Sequence, residues 1–225
     1  MMTFYAAVGC YRIRNEEGHS VPYIQKLGKL HPLSIPEFVI WSTLLWEVMT
    51  YPELEKHYNE QIKELPAKTP GFDELLELMI KRKLIVKGVG YTGRDALYNM
   101  LSDAFVVPFR MRGGRKLLTA LRLMAKGRIS LSDVFAVMKE KPVTNAEDRV
   151  IRLVEQTPLS TSEIVRCFER GIEDVSTTAK VIAGIYPDST QAEIASEEFM
   201  SEHTNEVLEA VSNLYFKRKI IIEVA

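Results

Sequence analysis

The chain predicts a mainly α protein with a minor β component, on three observations. Ser34 with Glu37 and Thr50 with Glu53 each place a hydroxyl three residues before a carboxylate, the capping-box spacing in which both side chains satisfy orphan amides at a helix start. Thr144 with Glu147 and Ser160 with Glu163 repeat both boxes at a constant offset of 110 residues. Helical apolar spacing follows each box, and each half closes on a cationic triplet and a short aliphatic run, Lys81-Arg82-Lys83-Leu84-Ile85-Val86 and Lys217-Arg218-Lys219-Ile220-Ile221-Ile222, at an offset of 136.

Residues 3–27 alternate and carry β-formers around Asn15-Glu16-Glu17-Gly18, which predicts one β-hairpin. From Ser34 the spacing of Phe38, Trp41, Leu44, Leu45 and Val48 predicts a first helix; Trp41 and Trp46, five apart, point in different directions, one into the core and the other toward an inter-domain or subunit contact. Thr50 opens a second helix on Leu54, Tyr58 and Ile62, ended by the Pro66–Gly71 stretch, and Phe72 to Lys83 forms a third. Leu84-Ile85-Val86 is a strand, and Gly88-Val89-Gly90 a glycine turn at positive φ. Between the copies, Thr92–Leu101, Lys116–Ala125 and Leu131–Lys141 are helices and Phe105–Phe109 is extended. In the second copy Val150, Ile151 and Val154 fill helix one, Ile164 and Phe168 helix two, and Asn205–Phe216 makes helix three. The extra 26 residues fall between helices two and three, roughly Ile172 to Met200, with Thr190 and Glu193 as a further box.

Composition excludes several classes. At 225 residues, with 46% hydrophobic and 26% charged residues and a net charge of −1, this is an ordinary globular chain. Its longest mostly apolar run, Phe38 to Trp46, is too short to span a bilayer. Met1 to Arg14 lacks a secretory leader, and Ala7-Val8-Gly9-Cys10 matches a lipoprotein cleavage site only loosely. Cys10 and Cys167 lie far apart, and a reduced, cytoplasmic setting is expected. The charge is unevenly spread: residues 1–144 carry 21 Lys+Arg against 15 Asp+Glu, and residues 145–225 carry 8 against 15.

Gly88-Val89-Gly90-Tyr91-Thr92-Gly93 fits the dinucleotide-binding spacing, but no acidic residue lies between Asp103 and Asp133 to hold a ribose, so a structural turn is expected. His19, His31, His57 and His203 show no metal-ligand spacing, and no nucleophile elbow, phosphate-binding lysine loop or zinc helix is present. No catalytic residue, metal or cofactor is expected.

The strongest candidate is the acid-free segment Arg110–Arg128, with Arg110, Arg112, Arg115, Lys116, Arg122, Lys126 and Arg128, whose density of cations suits phosphate neutralisation; the competing account is that these cations face the acidic second half or water. Lys81, Arg82, Lys83, Lys87 and Arg94 are placed to touch a nucleic-acid backbone from the end of helix three and the strand after it. Against this, Asp73, Glu74 and Glu77 start the third helix of copy one, and Glu206 and Glu209 that of copy two, where they suit the macrodipole and repel phosphate.

Three helices followed by a strand and a glycine-rich turn resemble the winged-helix variant of helix-turn-helix domains, over residues 34–90 and 144–225. Tandem units of this kind resemble those of transcriptional regulators and of chromosome-condensation accessory proteins. The resemblance implies an N-terminal unit (1–90), a basic helical connector (91–143) and a second unit (144–225) with an insertion at 172–200. It implies a non-enzymatic, DNA-associated regulator that binds double-stranded DNA mainly through phosphates. The alternative is an assembly scaffold that binds itself as a homodimer, or a protein partner.

Overall fold

The computed structural model describes residues 1–16, 19–63, 71–109, 142–186 and 202–225. Arg110, Arg112, Arg115, Lys116, Arg122, the two expected connector helices and the Thr190 box lie outside them.

The described residues are 51% helical and 25% strand, in eight helices and three antiparallel three-stranded sheets. The fold is therefore mixed α/β, and the expectation of a mainly α protein is corrected. The strands are β1 (Met2–Ala7), β2 (Cys10–Glu16), β3 (His19–Lys26), β4 (Lys29–Pro32), β5 (Met49–Thr50), β6 (Ile85–Gly90), β7 (Phe105–Pro108), β8 (Leu159–Ser160) and β9 (Ile220–Glu223). The helices are α1 (Ile35–Leu44), α2 (Tyr51–Ile62), α3 (Phe72–Lys81), α4 (Gly93–Leu101), α5 (Asn145–Gln156), α6 (Thr161–Glu169), α7 (Thr178–Ile185) and α8 (Glu202–Phe216).

The expected hairpin over residues 3–27 is two separate objects. Gly9, at φ 79°, breaks the alternating run. A Cβ at Gly9 would meet the Gln25 carbonyl oxygen at 2.4 Å, so the turn needs glycine on two counts. Before the break, β1 becomes the centre of one sheet, in the order β5-β1-β6; after it, β2, β3 and β4 form a meander of their own. Unbroken alternation hides such a change of sheet, because both strands obey the same period of two.

The second half repeats this plan. Its sheet has the order β8-β7-β9, again with the first strand central. Phe4 pairs with Thr50 in β5, as Phe105 pairs with Ser160 in β8. The two-residue outer strand runs directly into the helix that its last residue caps. At all four predicted starts the carboxylate accepts from the N-cap amide, Glu37 from Ser34 (2.7 Å), Glu53 from Thr50 (2.8 Å), Glu147 from Thr144 (3.1 Å) and Glu163 from Ser160 (2.7 Å).

Two of these carboxylates also take part in a tertiary pattern that occurs twice. Glu37 accepts from Arg82 (2.5 Å), whose other terminal nitrogen donates to the Pro32 carbonyl (2.8 Å). Glu147, fully buried, takes Lys217 Nζ at 2.6 and 2.7 Å, and the same Nζ donates to the Pro142 carbonyl (3.0 Å). Each set joins the residues before helix one, its capping glutamate and the end of helix three.

Both third helices end in a Schellman turn with a cation at the left-handed position: Lys83 (φ 55°) and Arg218 (φ 60°). Leu84 N–H reaches Met79 O and Lys219 N–H reaches Leu214 O, both at 2.9 Å. Lys83 therefore matches Arg218, and the true offset is 135, one less than the cationic triplets suggest.

Gly88 and Gly90 make no turn. Both sit inside β6, paired with Phe4 and Met2, and neither has positive φ. Their role is to admit α4, which folds back over the strand: a Cβ on Gly88 would lie 2.0 Å from Ala96 O, and one on Gly90 2.3 Å from Ala96 N. The expected wing at this point is thus a helix-covered strand.

Two cores flank β1. Tyr5 and Ala7 face Ile40, Trp41, Leu44, Leu54, Met79 and Ile85, whereas Ala6 joins Met100, Val106, Val150, Val211 and Leu214 on the other side. The halves are also bonded: Gly9 N–H to Ile222 O (2.7 Å), and the buried Tyr215 hydroxyl to Leu44 O (3.0 Å). Trp41 is in the first core, its indole N–H on Val8 O (3.0 Å). Trp46 falls just beyond α1 and lies between Phe109 (5.4 Å between ring centroids) and the Arg218 guanidinium (5.2 Å).

Candidate functional site

The exposed side of α3 is acidic. Asp73, Glu74 and Glu77 are exposed and Phe72, Leu75, Leu76 and Met79 buried, because the 3.6-residue period turns one stripe to the core. Asp73 accepts from the Tyr51 hydroxyl at 2.5 Å, which pushes the Tyr51 pKa up to about 12. On α8, Glu206 and Glu209 are exposed.

The five described cations named from the sequence do not form one surface. Arg82 is committed to Glu37 and Pro32 O. Lys83 donates its Nζ to the Ala225 carbonyl. Lys81 and Lys87 are exposed, the latter opposite Tyr5 on the face shared with α1–α3. Arg94 lies in the first turn of α4, at the far end of β6 from Lys83, on the order of 20 Å away by strand rise alone.

Arg82 and Lys83 do meet cations that sequence reasoning missed. His31 is held below its usual pKa by burial and then by the charges of Lys26, Arg82 and Lys29. Lys26 is lowered by burial first and by Lys83 next, with Glu223 opposing. This cluster sits where the β3–β4 turn meets the end of α3. Lys26 pairs with Lys29 around Leu27 (φ 45°) and Gly28 (φ 77°), the doubly positive signature of a type I′ turn. Glu223 Oε2 accepts from Leu27 N–H at 3.0 Å and so ties this turn to the last strand of the other half.

The meander carries the other unexpected feature. Leu33 N–H donates to Pro22 O (3.2 Å), so Pro22, Ile24 and Lys26 direct their main-chain groups toward β4. Val21, Tyr23 and Gln25 then face β2, where they meet Arg14, Arg12 and Cys10. The main-chain groups of Tyr11 and Ile13 consequently point outward along the sheet edge. Their side chains share the sheet face of buried Ile24, yet are 46% and 61% exposed. On the opposite face, Arg12 Nε donates to Gln25 Oε1 (2.9 Å) and the Arg14 guanidinium lies 5.9 Å from the Tyr23 ring centroid. Arg12, Ile13, Arg14, Gln25, Gly28 and Leu30 line an open groove of about 290 Å³ along this edge. The alternation of Arg12 and Arg14 with Tyr11 and Ile13 is visible in the sequence, but that this strand lies at a sheet edge is not.

The dinucleotide reading fails on geometry. β6 is antiparallel to β1, and the first turn of α4 is occupied by its own box, with Asp95 accepting from Thr92 N–H (2.9 Å) where a phosphate would bind. Among the described residues no group of three His, Cys, Asp or Glu side chains is placed to hold a metal ion. Among them also, no helix is long and apolar enough to cross a membrane. Neither a protein family, nor a curated protein, nor a solved structure matches this chain.

Proposed function

We propose that the chain is a non-catalytic interaction scaffold that binds another polypeptide and works in a cytoplasmic, thiol-reducing setting. One observation carries the reading: the helices that would have to approach nucleic acid present Asp73, Glu74, Glu77, Glu206 and Glu209, while Arg82 is held by Glu37 and the Pro32 carbonyl. Phosphate approaching either helix meets like charge. Free Cys10 and buried Cys167 agree with the compartment.

A second reading, a DNA-associated regulator, keeps the support of the acid-free Arg110–Arg128 segment. Titration of a labelled duplex across a salt series separates the two. The scaffold reading expects no saturable binding at low salt. Binding that weakens steeply with salt, and that Arg115→Glu with Lys116→Glu removes from a folded protein, would establish the regulator instead.

A further inference from the structure

We propose that the outer edge of β2 receives an extended segment of the partner by strand addition, and that this segment alternates acidic with apolar residues. The inference rests on the scaffold reading and names the chemistry of its ligand.

The backbone of β2 supplies the first half of the argument. Tyr11 and Ile13 direct their N–H and C=O groups away from β3, in a seven-residue strand whose residues 11–16 are all exposed. An incoming strand would satisfy these groups as a neighbouring strand does. Its side chains would fall alternately on the two faces. On one face they would extend the apolar surface of Tyr11 and Ile13. On the other they would lie beside Arg12 and Arg14 and the groove next to them, where carboxylates are matched.

Exposed edges are normally blunted by charge, and Arg12 and Arg14 alone would fit that role. Tyr11 and Ile13 do not, because a blunted edge has no use for two large apolar side chains in water. Two-fold antiparallel pairing with a second copy, centred on residue 12 or 13, sets Arg12 against Arg12 or Arg14, and like charges directly opposite destabilise a pair. Centred on residue 14 it opposes Arg14 to Arg14 but Arg12 to Glu16, so a self-paired dimer that Arg12→Glu with Arg14→Glu dissolves is the outcome that would replace the acidic segment.

The test uses the full chain and a fluorescent synthetic peptide of about ten residues alternating glutamate with valine, a length that covers a strand of ordinary size. Two controls accompany it: the same peptide with lysine for glutamate, and the glutamate peptide with N-methyl groups on alternate amides. By anisotropy, the glutamate peptide should bind at least tenfold more tightly than either control, and Arg12→Glu with Arg14→Glu should abolish the difference. Amide NMR signals of residues 10–16 should shift on binding. Equal affinity for the N-methylated peptide, or for the lysine peptide, overturns strand addition by an acidic segment. So does the absence of binding at millimolar peptide. If duplex DNA also fails to bind in the salt titration, only this inference falls; if duplex DNA binds, the scaffold reading beneath it falls as well.

Discussion

Lys217 Nζ lies 2.6 and 2.7 Å from the two carboxylate oxygens of Glu147, a side chain with no exposed surface. Removing one partner of such a pair strands a buried charge, which costs more than the pair contributes. Lys217→Met is expected to destabilise the protein by about 3 to 5 kcal/mol in urea unfolding, with Lys217→Arg recovering most of it. A loss below about 1 kcal/mol would show that water reaches Glu147.

Tyr215 is 2% exposed, and burial pushes its hydroxyl pKa far above the usual phenol value. Its hydrogen bond to Leu44 O joins the two cores. Tyr215→Phe leaves that carbonyl with the Glu47 N–H (3.1 Å) as its remaining donor, so the expected loss is that of one net hydrogen bond, about 1 kcal/mol. Hydrogen exchange should then rise in α1 and α8 together.

Gly88 lies beneath α4 with no room for a methyl group. Gly88→Ala forces β6 and α4 apart and should cost about 3 kcal/mol. Gly28→Ala is a useful contrast, because a Cβ there meets nothing within 4 Å and only the positive φ is penalised. Its cost should be about 1 kcal/mol. Melting temperatures of the two variants should rank accordingly.

Burial raises the Glu223 pKa, against the Leu27 N–H and Lys26, which lower it. A carboxyl raised in the folded state binds its proton more readily there than in the unfolded chain. Its stabilising contribution is therefore complete below the ordinary glutamate range and is lost as pH rises through the raised value. Glu223→Gln keeps an acceptor for Leu27 without the buried charge. It should melt higher than the parent at pH 7, with the gap closing as pH falls through that range; a gap independent of pH would remove Glu223 as the cause.

The local part of this fold was legible. Four capping boxes form where Ser34, Thr50, Thr144 and Ser160 predict them, because a box is closed within four residues and needs nothing distant. What depended on remote partners was not. Arg82 read as a free cation because Glu37 lies 45 residues away in sequence. Gly88 and Gly90 read as a turn because a glycine chosen for close approach looks the same as one chosen for positive φ. The strand content was underestimated because β4 follows the segment read as a single hairpin, β6 runs on through Gly90 where a turn was expected, and β5 and β8 have two residues each and carry no period of their own. One distant signal was available, since Pro32 and Pro142 share the spacing of Glu37 and Glu147.

In the first half, the meander β2–β4 enters between the central strand β1 and helix α1; in the second, the chain leaves β7 at Pro108 and returns before α5 at Pro142. In both, a prolyl carbonyl pinned by a cation from the end of helix three marks the point of return. Each clamp therefore fixes where helix one begins, and in the first half the chain ahead of it also returns a side chain, Ile24, to the core that the helix covers.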